Sequence, residues 1–176
     1  MLQNIVLVGL KGSGKSTVGQ VLAKELDRDW IDTDVLIEKY YAEQTGNALG
    51  FAEIYQLIGE QRFRSLEKKV IVDMGLKDKP LVMATGGGAM LDAGNVACFK
   101  KHGLIVYLNA SYATLLDRWH QVPPSFIGSE NISQELRTYY DRRATLYQRL
   151  ADMLVVVDDK SPSVISSEII ELIKEQ

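Results

Sequence analysis

Several groups of residues in this chain have types and spacing suited to chemistry on a phosphate. Residues 9–17 read G-x-x-x-x-G-K-[ST], ending in Gly12, Ser13, Gly14, Lys15, Ser16 and Thr17. Glycines so spaced let successive backbone N–H groups converge on an anion at the start of a helix. In such a loop Lys15 reaches the outer phosphates of a nucleotide and the Ser16 hydroxyl serves Mg²⁺. Asp32 and Asp34 follow at alternate positions. One carboxylate suits Mg²⁺, directly or through water; the other suits accepting a proton from, or aligning, an acceptor hydroxyl. Helix capping alone would account for Asp34 but not for both. Gly86, Gly87 and Gly88 allow a close backbone approach to a ligand or a positive φ, with a flexible turn as the simpler alternative. Arg64 and Arg143 suit bidentate clamping of a carboxylate, although each alone reads more readily as a solvated surface cation.

The elements that must position these residues alternate between apolar strand-length runs and helical patterns. Strands are expected at 5–8, 30–31, 81–85, 104–108 and 153–157, apolar throughout as for parallel strands covered on both faces. A helix from Lys15 to about Leu26 carries Val18, Val21, Leu22 and Leu26 on one face. Others are expected around Phe63, Leu66 and Val70, around Tyr112, Leu115, Leu116 and Trp119, and from Leu136 to Leu150. The last helix starts at Ser161 as N-cap with Pro162 in its first turn. Such alternation is a doubly wound α/β layer fold. Asp32 and Asp34 then lie at the carboxyl end of a strand, the edge where such sheets bind ligands. Two stretches interrupt the rhythm: a helical excursion at 34–62, and a proline-containing connection at 119–133 that is expected to act as a lid excluding water.

Length and composition bound the rest. A chain of 176 residues is expected to form a single domain, 1–176, with a sizeable core. With 46% hydrophobic and 24% charged residues and a net charge of −3, neither nucleic-acid nor membrane binding is expected. Met1 leads within a few residues into a core strand, which leaves no room for a signal peptide. Cys98 is alone, so no disulfide framework or thiolate metal site is expected, and a reduced cytoplasm fits. A monomer is expected.

In order along nearly the whole chain, the phosphate loop, Ile31-Asp32-Thr33-Asp34, Gly59-Glu60-x-x-Phe63-Arg64-x-x-Glu67, Ala84-Thr85-Gly86-Gly87-Gly88, Val106-Tyr107-Leu108-Asn109-Ala110 and Arg143-Ala144-Thr145-Leu146-Tyr147 resemble the shikimate kinases. The resemblance implies a three-layer α/β fold of the P-loop, nucleoside monophosphate kinase-like type, with a five-stranded parallel sheet in order 2-3-1-4-5. It implies ATP-dependent phosphorylation of the 3-hydroxyl of shikimate, a small carboxylate of aromatic amino-acid biosynthesis. Lys15 and Asp34 would then be catalytic, and Ser16 and Asp32 would serve Mg²⁺. Asp34, Arg64, Gly86, Gly87, Gly88 and Arg143 would hold shikimate, with both arginines on its carboxylate. Gly12 to Thr17 would cradle the ATP phosphates and Arg118 would stack on adenine.

Two stretches depart from the family pattern. Its lid carries Arg-Pro-Leu-Leu, whose arginine reaches the transferring phosphoryl group; here the stretch is Pro123-Pro124-Ser125-Phe126, and residues 119–136 contain neither Arg nor Lys. Arg118 and Arg142 flank it; with Arg118 on adenine, Arg142 is the expected stand-in. The segment 37–55 is several residues longer than the pattern. The alternatives are a kinase of another small hydroxy acid, gluconate-type, and a nucleotide-binding relative with impaired catalysis.

Overall fold

The apolar runs form five strands: β1 (Asn4–Val8), β2 (Asp29–Asp32), β3 (Leu81–Ala84), β4 (Gly103–Asn109) and β5 (Met153–Val156). In the computed structural model, which describes residues 3–74, 80–124 and 131–175, they build one sheet in the order β2-β3-β1-β4-β5. Every pairing is parallel, as the family resemblance implies. Leu7 pairs with both Ala84 and Val106, and Asp32 with Ala84, so β1, β2 and β3 release the chain at one edge. β1, β3 and most of β4 are buried, because helices cover both of their faces. β5 departs from that expectation. It is an edge strand that buries Met153 and Val155 but leaves Leu154 and Val156 exposed.

The helices are α1 (Lys15–Glu25), α2 (Thr33–Thr45), α3 (Phe51–Ile58), α4 (Glu60–Met74), α5 (Ala93–His102), α6 (Tyr112–Gln121), α7 (Ile132–Leu150) and α8 (Pro162–Lys174). α5 escapes the periodicity reading because Phe99 is its one fully buried large apolar residue; Asp92 starts it by accepting from the Asn95 N–H at 2.9 Å. α1 packs on β2 through Gly19, where a Cβ would fall inside the Trp30 ring. The excursion at 34–62 becomes α2, α3 and the first turn of α4, and it carries its own apolar cluster of Ile37, Ile54, Phe63 and Val70. Within the stretch expected to be a lid, α6 and α7 take up 119–121 and 132–133, while 125–130 lie outside the described residues. No helix among the described residues is long and apolar enough to cross a membrane.

Candidate active site

The turn between β1 and α1 wraps a cavity of about 430 Å³. Gly12 and Gly14 hold φ of 89° and 91°, a region open to glycine at little cost, and this folds the loop around its own N–H groups. Gly14 is the N-cap of α1 and supplies no side-chain cap, so the first-turn N–H groups keep their capacity for an anion. Lys15 is buried, and its Nζ donates to the carbonyls of Gly9 at 2.9 Å and Leu10 at 3.0 Å. Burial lowers its ammonium to about 8, against the opposing pull of Asp34. Arg118, from α6, lines the same cavity and donates to the Gly12 carbonyl at 2.6 Å.

Two oxygens suited to a hard cation converge beside this loop. Ser16 Oγ donates to Asp32 Oδ2 at 2.8 Å, and Asp32 Oδ1 accepts from the Asp34 N–H at 3.0 Å. Asp32, not Asp34, is therefore the cap of α2. No group of three or more His, Cys, Asp or Glu side chains able to hold a metal occurs among the described residues. A hydroxyl and one carboxylate fit Mg²⁺, which keeps several waters and shares substrate phosphates rather than filling an all-protein cage.

A second cavity, of about 450 Å³, lies against the first. Its floor is the turn after β3, where Gly86, Gly87 and Gly88 serve close approach: none of the three has a positive φ. A Cβ on Gly86 would stand 2.7 Å from Asp34 Oδ1, one on Gly87 would stand 2.9 Å from Tyr139 Oη, and one on Gly88 would strike the Arg64 guanidinium. Glycine thus lets an acid, a phenol and a cation crowd over one turn. Thr33, fully buried at the start of α2, ties this turn to that helix by accepting from the Gly86 N–H at 2.8 Å.

Arg64 and Arg143 reach the second cavity from α4 and α7. Arg64 Nη1 pairs with Glu67 Oε2 at 2.8 Å, and Glu67 is almost wholly buried. Burial pushes the Glu67 carboxyl up, while the Arg64 charge holds it down. Arg143 Nη1 donates to the Gly87 carbonyl and to Tyr139 Oη, both at 2.5 Å, and the Tyr147 hydroxyl also donates to the Gly87 carbonyl. Tyr139, Arg143 and Tyr147 stand four residues apart, so one helical face aims all three at the turn.

Asp34 borders both cavities. Burial, and next the neighbouring Asp32 charge, push its carboxyl up to about 6, against the pull of Lys15 and Lys11.

Gly12 to Thr17, Asp32 and Arg118 thus line one cavity, Arg64, Gly88 and Arg143 the other, and Asp34, Gly86 and Gly87 both. Arg142 is exposed on α7 and lines neither, so the expected stand-in for a lid arginine is not positioned for that task. Sequence reasoning passed over Lys11, Thr33, Glu67 and Tyr139. Glu67 stands within the family motif, and Tyr139 lies in the helix expected from Leu136 to Leu150, where type and spacing alone do not mark it. Thr33 lay between two more conspicuous aspartates. Lys11 occupies a variable loop position whose direction only the fold reveals.

A parallel sheet in this order, with a phosphate loop after its central strand and an acidic strand end beside it, defines a P-loop phosphotransferase of the nucleoside monophosphate kinase-like type. Beyond the fold, the model of the shikimate kinase family matches residues 11–174. The chain belongs to the shikimate kinase family. It is 37% identical to the shikimate kinase of Sulfurihydrogenibium sp. (strain YO3AOP1) over 173 residues, covering 98% of this chain and 99% of that protein. It is 34% identical to that of Hahella chejuensis, covering 98% and 86%. A shikimate kinase from Acinetobacter baumannii, solved in complex with shikimate, superposes with a TM-score of 0.86 at 33% identity over 99% of this chain and 94% of that one. The family's activity is phosphoryl transfer to a hydroxyl group.

Proposed function

We propose that this chain, acting as one kinase domain over 1–176, transfers the γ-phosphoryl group of ATP to the 3-hydroxyl of shikimate. The observation that carries this reading is the shared border of the two cavities at Asp34, with Lys15 on one side and the arginine pair on the other. Gly12 to Thr17 bind the phosphates through backbone N–H groups, and Lys15 leaves its loop carbonyls to neutralise charge on them. Ser16 and Asp32 hold Mg²⁺, which supplies charge neutralisation on the phosphates when bound. Arg118 stacks on the adenine ring. Arg64 and Arg143 orient the substrate carboxylate; Glu67 occupies only part of the Arg64 donor set, since a guanidinium carries five N–H donors. Asp34 accepts the hydrogen of the attacking hydroxyl, a role that needs it ionised. The close structural match to a shikimate kinase solved with shikimate supports the choice of acceptor.

The reading is tested by following ADP release in a coupled assay with ATP and Mg²⁺, with shikimate or gluconate as acceptor. Shikimate-dependent release at about 1–100 s⁻¹, the ordinary range of kinases, is expected, with none from gluconate. Turnover with gluconate alone would reassign the acceptor; ADP release independent of either acid would mean that the enzyme does not phosphorylate shikimate.

A further inference from the structure

The two cavities share four lining residues: Lys11, Asp34, Gly86 and Gly87. Whatever passes from nucleotide to acceptor crosses that border, and among the described residues Lys11 is its only cation. We propose that the Lys11 ammonium is a catalytic group that contacts the transferring phosphoryl group and supplies the charge that an arginine-free lid lacks. The inference rests on the phosphotransfer reading above.

Three observations carry it. The first is position: the charge of Lys11 is felt by both Lys15 and Asp34, the groups on either side of the transfer. The second is availability. Six cations line the cavities, and five are already held by protein acceptors: Lys15 by Gly9 and Leu10, Arg64 by Glu67, Arg118 by Gly12, Arg143 by Gly87, and Lys160 by Glu168. The Lys11 ammonium has no hydrogen-bond or ion-pair partner among the described residues and lies 5.5 Å from the centre of the Phe51 ring. The third is anchorage. The buried Trp119 indole donates to the Lys11 carbonyl at 2.8 Å, which ties the backbone to α6 while the side chain stays exposed.

The chemistry asks for such a group. A bond forms from the acceptor oxygen to the γ-phosphorus as the bond to the bridging oxygen of ADP breaks. The hydroxyl proton passes to the Asp34 carboxylate, and the electron pair leaves with ADP. Charge spreads over the three equatorial oxygens, and positioned cations lower the barrier by binding it more strongly then than before. Residues 119–136 contribute no Arg or Lys. Lys11 changes no bond; it binds those oxygens.

The experiment compares Lys11→Met, which keeps an unbranched apolar stem against Phe51, with Lys11→Arg and wild type. Losing one charge donor at the reacting group should lower kcat by about 10²-fold in Lys11→Met, with both KM values within about threefold. Lys11→Arg should recover kcat to within about tenfold of wild type, since position and charge return. The second readout needs no acceptor: affinity for Mg²⁺, ADP and fluoroaluminate together should fall by a factor similar to that in kcat, while affinity for ADP alone stays level. A loss confined to KM, or kcat within about threefold and an unchanged fluoroaluminate affinity, overturns the proposal. Should wild type prove inert toward shikimate, the acceptor assignment fails while the fluoroaluminate titration still decides the role of Lys11.

Discussion

Asp34 holds a charge where the fold disfavours one, and that sets its pH behaviour. Its carboxyl sits at about 6 in the folded protein against 3.8 for the free group, with burial the main cause and Asp32 the next. Because the folded value is the higher, ionisation costs stability, fully so above about pH 6 and no longer near pH 4. Asp34→Asn should therefore raise stability at pH 8, by up to about 3 kcal/mol, while abolishing transfer. The gain should shrink as pH falls through 6 and vanish near 4; thermal melts across that range check it, and a pH-independent change would contradict it. Arg64 makes a second case. Arg64→Ala should raise the shikimate KM about ten- to a hundredfold with ATP affinity unchanged, the loss of one charge-assisted clamp. It also strands the buried Glu67, so it should destabilise the fold. Adding Glu67→Gln should restore the melting temperature but not the KM; recovery of both would make Arg64 a structural partner only. Legibility at this scale followed chemistry. The loop, the aspartates and the glycine turn stand out by type and spacing, and the two arginines by their position in the chain. Lys11 and Tyr139 do not, because their meaning depends on which cavity they face.

Among the elements, strands were the easiest to read, since short apolar runs have few other uses in a chain that alternates with helices. The 5–8 and 153–157 expectations match β1 and β5 to within a residue at each end. α5 was missed because its burial rests on little more than Phe99, and β5 exposes one face because an edge strand is less fully covered. The contact of α1 with β2 was also illegible: Gly19 reads as a weak helix position, yet it makes room for Trp30. Gly19→Ala adds helix propensity worth about 1 kcal/mol but drives a methyl into that ring. Overpacking should win and lower stability by about 1–3 kcal/mol, read from the urea midpoint. A stabilised variant would show that β2 and α1 separate easily.

For the whole molecule, the sheet edge explains why two cavities adjoin at all. β1, β2 and β3 end together, so the phosphate loop, the aspartate pair and the glycine turn meet without any long-range coincidence of sequence. The excursion brings Phe51 over the second cavity and α4 brings Arg64, and these helices pack around an apolar cluster of their own. Phosphoryl transfer thus runs across one border, from ATP to a carboxylate-bearing hydroxy acid. Its most direct test is the product itself: incubate the protein with ATP, Mg²⁺ and shikimate, and follow ³¹P and ¹³C resonances. Stoichiometric ADP and a new phosphomonoester coupled to carbon 3 of the ring are expected. Inorganic phosphate as the only new phosphorus species, or an ester at another hydroxyl, would contradict it.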